Sequence, residues 1–224
     1  PKKAEGVIPN VLREIKEGVK HMFAEKGLSY LLVCVIIVTF FMVPVAALFP
    51  LMTINHFNGD AFQMGIVEVA WGLGMLVGGA IVSLKFMKRI NKVYIINVMT
   101  IIVGLSFWLS GLLSTSAFIL FSILTTIGGI AGSIYWSTFI VILQTKIHPA
   151  ALGRVFSIYD SISLMPTIPG LLATGFIAER IGLLNAFIVA GVATVAVGVV
   201  AFFIPVINRL GRSTIPEAET IEQE

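Results

Sequence analysis

The chain has 224 residues, of which 57% are hydrophobic and only 12% charged, with a mean hydropathy of +0.99. A soluble domain carries roughly one quarter charged residues, so this composition excludes one and places the chain in a membrane. The formal net charge is +3, no nucleic-acid partner is expected, and a lone cysteine, Cys34, excludes an internal disulfide.

Residues 1–27 are too polar to span a bilayer. Val11, Leu12, Ile15, Val19, Met22 and Phe23 recur at helical spacing behind Asn10, a capping residue. A lysine-rich amphipathic arm on the membrane surface or under a helical bundle is expected. Its charged region is too long for a signal peptide. The chain begins at Pro1 without an initiator Met, so a piece of a longer protein, or the product of processing or disorder, is expected.

Six apolar runs follow, at about 30–51, 62–84, 93–113, 117–143, 155–177 and 183–207. Each is about 20 residues or longer, enough to cross the roughly 30 Å hydrocarbon core as a helix. Barrel strands would alternate polar and apolar residues, and these runs do not. The expected fold is all-α: a six-helix transmembrane bundle over 28–208, with Pro44, Pro166 and Pro169 kinking their helices. An acidic tail, 209–224, carries Glu217, Glu219, Glu222 and Glu224 and is expected to be disordered.

Charge placement sets an orientation. Every Lys and Arg except Arg180 falls in the arm, in the second and fourth connections or in the tail. The positive-inside rule makes that face, and both termini, cytoplasmic. Lys85, Arg89 and Arg154 lie in these basic connections and are candidates for a cytoplasmic gate.

Two acids fall clearly inside apolar runs, Glu68 and Asp160. An ionised carboxylate near the bilayer centre costs about 2.5–3.5 kcal/mol on insertion scales, so such groups usually face a bundle interior, a cavity or a partner. Glu68 shares a helical face with Trp71, Gly72, Met75 and Gly79; Asp160 shares one with Ser157, Ser163, Leu164 and Thr167. Asp160 lies only about five residues, or roughly 8 Å, inside the cytoplasmic boundary, so pairing with a cytoplasmic cation is an equal alternative to a gating role. Small residues four apart, Gly74 with Gly78 and Gly128 with Gly132, are helix-packing candidates.

Other chemistries find no support. His21, His56 and His148 fall in the arm and connections, so none pairs inside the bundle to hold a haem, and no cluster has metal-ligand spacing. There is no phosphate-binding loop, and the buried serines lack an intramembrane base. No enzyme, cofactor or metal is expected.

Two stretches carry a resemblance. The first joins Gly128 and Gly132 to Gln144, Pro149 and the run Gly153-Arg154-Val155-Phe156-Ser157. The second holds Leu48-Phe49-Pro50-Leu51 and His56-Phe57-Asn58-Gly59, followed by Gly65, Glu68, Gly72, Gly74, Met75, Gly78 and Gly79. Their order and spacing resemble the C-terminal half of a major facilitator transporter, in the macrolide-efflux and enterobactin-exporter branch. One departure stands out: Ser83 occupies the place of the aspartate in the loop motif Gly-x-x-x-Asp, ahead of Lys85, Lys88 and Arg89.

The resemblance implies two inverted three-helix repeats and a central cavity lined by the first and fourth spans. Cavity candidates are then Thr39, Phe40, Val43, Thr125, Gly129, Tyr135 and Trp136. It also implies efflux of small amphipathic, drug-like compounds or siderophores, coupled to protons through Glu68 or Asp160, in a bacterial inner membrane. Beyond lipid, the implied partner is the other half of the same transporter or a second copy of this chain. A six-span homodimeric transporter and a non-transporting membrane scaffold remain open.

Overall fold

The computed structural model describes residues 26–146 and 149–204. Most of the expected amphipathic arm and all of the acidic tail lie outside the described residues. What is described is helical, and no strand occurs in it. Six long helices dominate: α1 (Lys26–Ala46), α2 (Ala61–Val82), α3 (Lys92–Gly111), α4 (Phe118–Lys146), α5 (Pro149–Ile181) and α6 (Leu183–Phe202). Of these, α2, α3, α4 and α6 are long and apolar enough to cross a membrane, and α1 contains a shorter apolar helix, Ser29–Val43.

Local chemistry explains several boundaries. Asp60 starts α2 with a reciprocal cap: its Oδ1 accepts from Gln63 N at 2.9 Å while Asp60 N donates to Gln63 Oε1 at 3.2 Å. Asn91 caps α3, its Oδ1 accepting from Val93 N at 2.9 Å. Gly182 adopts φ 90° between α5 and α6, a conformation that costs glycine little.

The first apolar run is not one helix to residue 51. Pro50 lacks an N–H and its ring opposes the carbonyl four residues earlier, at Ala46, where α1 stops. Phe49–Leu51 then starts a new turn with Pro50 tolerated at its beginning, and Met52–His56 follows as a π-helix. In contrast, α5 runs unbroken through Pro166 and Pro169, and begins at Pro149 rather than 155.

The helices pair in a definite pattern. The most extensive contacts join α2 to α4 and α3 to α6; α3 also meets α4, and α1 packs on α5 and α6. Glycine registers fix the directions. Along α2, Gly74 faces Thr126, Gly129 and Ile130, and Gly78 faces Ile130 and Ser133, so α2 and α4 run parallel. Along α3, Gly104 faces Gly191 and Val195, and Gly111 faces Leu184 and Ile188, so α3 and α6 run antiparallel.

Among the described residues three apolar clusters fill the bundle, the smallest formed by Met87, Ile95 and Ile134; the other two are larger. One gathers Leu31, Val35, Val93, Tyr135, Phe139 and Tyr159. The other is aromatic and centres on Phe49, whose ring lies 5.7 Å from Trp71, 5.8 Å from Phe121, 5.9 Å from Phe187 and 6.1 Å from Phe107. The residue freed from α1 by Pro50 thus ties together α2, α3, α4 and α6. Edge-to-face and stacked pairs of this kind add about 0.5–1.5 kcal/mol each beyond buried area.

Polar groups within the bundle are managed locally. The hydroxyls of Thr100, Ser110, Thr125 and Thr194 donate to the carbonyl four residues earlier, at 2.7–2.9 Å. The perimeter is apolar: Phe62, Leu76, Ile119, Leu172 and Phe203 are largely exposed. Exposed large apolar side chains in such number belong against lipid or protein rather than water.

Candidate functional site: a cavity between four helices

A cavity of about 620 Å³ opens between α1, α2, α4 and α5. Thr39, Met42 and Val43 line it from α1; Trp71 and Met75 from α2; Gly132, Ser133, Tyr135 and Trp136 from α4; Tyr159, Asp160, Leu164 and Thr167 from α5. Its volume falls within the roughly 300–1,000 Å³ typical of small-molecule sites. The wall is mainly apolar and aromatic. The rings of Trp136 and Tyr159 stand 5.6 Å apart, and Phe139 backs Tyr159 at 5.0 Å. Thr39, Ser133 and Thr167 add small polar groups.

Glycines let the walls come this close. A methyl on Gly129 would lie 2.5 Å from Trp71 O and 3.3 Å from Gly74 Cα. One on Gly128 would lie 2.8 Å from Ser106 Oγ and 3.3 Å from the Trp71 ring, and one on Gly132 would lie 3.3 Å from the Met42 methyl. With Gly74 and Gly78 pressed on the α4 backbone at Thr126 and Ile130, the indole of Trp71 reaches the cavity.

The sequence candidates divide by position. Thr39, Val43, Tyr135, Trp136 and Asp160 come together at this cavity. Phe40 is not among the residues that line it; its ring packs edge-on to Phe41 at 5.1 Å. Thr125 is buried at the helix interface with its hydroxyl bonded to Phe121 O at 2.9 Å, and Gly129 meets α2 rather than the cavity. Glu68 is exposed on α2, three and seven residues before the cavity-lining Trp71 and Met75. Lys85 and Arg89, both exposed, bound the short helix Lys85–Arg89, and the backbone of Arg154 belongs to the first turns of α5.

Met42, Trp71, Met75, Ser133, Tyr159, Leu164 and Thr167 were not among the cavity candidates. Helical periodicity carried the signal for most: Trp71 and Met75 continue the stripe from Glu68, Leu164 and Thr167 that from Asp160, and Met42 that from Thr39. Elsewhere, Asn97 Nδ2 and Tyr135 OH are buried without a hydrogen-bond partner among the described residues, beside a void of about 10 Å³ shared with Thr100 and Cys34. Among the described residues no cluster could hold a metal.

A bundle of long apolar helices with an apolar perimeter and an aromatic internal cavity defines an integral membrane protein with room for a small molecule. The Major Facilitator Superfamily signature matches residues 11–222, and the chain belongs to that family of membrane transporters. It is 32% identical over 208 residues to macrolide efflux protein A of Streptococcus pyogenes, covering 93% of this chain and 50% of that protein. It is 34% identical over 160 residues to macrolide efflux protein A of Enterococcus faecalis, covering 71% of this chain and 49% of that protein. The chain thus spans about half the length of the curated relatives it matches. No solved structure matches it.

Proposed function

We propose that the chain is the C-terminal six-span half of a secondary transporter that exports amphipathic compounds and is driven by the proton gradient. The single observation that carries this reading is the 620 Å³ cavity, walled by two tryptophans, two tyrosines and small hydroxyls. Apolar contact there would supply most of the binding, and a few hydrogen bonds would set orientation. The similarity to two macrolide efflux proteins supports an exported substrate of comparable size and amphipathic character.

Two inverted repeats, α1–α3 and α4–α6, underlie the proposed mechanism. The packing pattern supports this arrangement. Exchanging the triplets turns the α2–α4 contact into α5–α1 and the α3–α4 contact into α6–α1, while α3–α6 maps onto itself; each resulting pair is packed. Alternating access would then arise from this half rocking against the other around a shared cavity. Glu68 and Asp160 are the proposed proton-coupling groups, and Lys85, Arg89 and Arg154 would border a cytoplasmic gate in a bacterial inner membrane, with both termini inside.

The test is uptake of radiolabelled erythromycin into inside-out proteoliposomes of the intact gene product, with and without an imposed pH gradient. Accumulation that requires the gradient is expected. Equal uptake in both conditions would refute proton-driven export.

A further inference from the structure

Several buried hydroxyls of this bundle bond to their own helix: Thr100 and Thr194 each donate to the carbonyl four residues earlier, at 2.8 Å. Asn97 on α3 and Tyr135 on α4 depart from that pattern. They are 2% and 5% exposed, and Asn97 Nδ2 and Tyr135 OH have no hydrogen-bond partner among the described residues. Buried polar groups in folded proteins are nearly always bonded to protein or to ordered water. Both residues line one void of about 10 Å³, where α1, α3, α4 and α6 meet.

The size and lining of the void select its occupant. A buried water needs roughly 10–15 Å³ and makes about three hydrogen bonds, so there is room for one water and nothing larger. The lining offers two donors, the Asn97 amide and the Tyr135 hydroxyl. It also offers a spare acceptor, Thr100 Oγ1, whose own proton goes to Ile96 O. No charged side chain lines the void among the described residues, so a neutral occupant is the one that matches. Close approach of α6 seals it, since a methyl on Gly198 would lie 3.2 Å from Asn97 O.

We propose that one buried water accepts hydrogen bonds from Asn97 Nδ2 and Tyr135 OH and donates one to Thr100 Oγ1, bridging α3 to α4. Tyr135 also lines the large cavity, whereas Asn97 does not. Asn97 is therefore a positioning residue: through the water it holds Tyr135 in the cavity wall. The positioning role rests on the cavity being the transport site; the water itself does not.

A structure of the intact gene product, at a resolution that shows ordered water, should hold one density peak about 2.5–3.2 Å from both Asn97 Nδ2 and Tyr135 OH. No peak, or a direct bond between the two side chains, overturns the bridge. Equilibrium binding of radiolabelled erythromycin to folded variants reads the positioning role. Asn97→Leu keeps the volume and removes the amide, so it should lose about fivefold or more in affinity. Asn97→Ser keeps a polar group and leaves room for a second water, so it should bind within about twofold of the parent. A role in packing alone predicts the reverse order, because Asn97→Ser removes volume and Asn97→Leu does not. Parent-like binding by Asn97→Leu, or a greater loss in Asn97→Ser, overturns the positioning role. If Asn97→Leu does not fold, a loss beyond about fivefold in Asn97→Ser overturns it instead. If the parent does not bind erythromycin, the cavity reading fails and the positioning role with it, while the density still decides the water.

Discussion

Gly129 packs directly on Gly74: a methyl at Gly129 would come within 3.3 Å of the Gly74 Cα and 2.5 Å of the Trp71 carbonyl oxygen. The contact joins stability to the site, because the same approach of α2 to α4 carries the Trp71 side chain to the cavity wall. Gly129→Ala should therefore destabilise the bundle by about 1–3 kcal/mol, the usual cost of overpacking. Gly65, where a methyl would meet nothing within 4 Å, is the control. Thermal unfolding of the two variants in detergent checks this, and equal melting temperatures would contradict the close contact.

A second glycine seam holds α3 to α6. A methyl on Gly104 would lie 2.7 Å from Val195 N and 2.9 Å from Gly191 O. Gly104→Val should lower the melting temperature at least as much as Gly129→Ala, because the obstruction is backbone that cannot rotate away. As this seam does not line the cavity, surviving folded protein should bind erythromycin with unchanged affinity. A large affinity loss at unchanged melting temperature would reverse that assignment.

Sidedness is testable at the connections. With Cys34→Ser as background, single cysteines at the exposed Asn58 and Thr115 should react with an impermeant external reagent, and one at the exposed Arg89 should not. Arg89 is preferable to Asn91, whose side chain caps α3. Labelling only at Arg89 would invert the proposed topology.

Glu68→Gln separates proton coupling from packing, since it preserves shape and most hydrogen bonding. Glu68 is exposed on the α2 stripe that leads to Trp71 and Met75. If it carries the proton, the variant should melt like the parent and bind substrate, but lose uphill accumulation. Lowered thermal stability with coupling intact would instead make it a structural residue bonded to a neighbouring helix.

Much of this fold is legible in residue order, because continuous apolar runs have one solution in a bilayer. The beginnings of α2, α3 and α6 fall within about one residue of their apolar runs. The end of α1 does not, since the apolar run passes through Pro50 while the helix stops at Ala46. Similarly, α5 extends back to Pro149 because a helix continues beyond its apolar part. The α3–α6 seam was missed for a physical reason: its glycines recur at seven residues, Gly104 with Gly111 and Gly191 with Gly198, two turns apart on one face rather than one. The partners of Asp160 depend on which helices adjoin α5, a non-local fact that spacing along one helix cannot supply.

The central claim is that substrate occupies the space between α1, α2, α4 and α5. Its most direct measurement is the alkylation rate of single cysteines placed at Val43 and Leu164, which line the cavity from α1 and α5, and at Leu73, which borders a different groove on α2. The background is Cys34→Ser in the intact gene product. Saturating erythromycin should slow labelling at Val43 and Leu164 by about tenfold or more while leaving Leu73 unchanged. Unchanged rates at Val43 and Leu164, in protein shown to bind erythromycin, would place the substrate elsewhere and contradict the account.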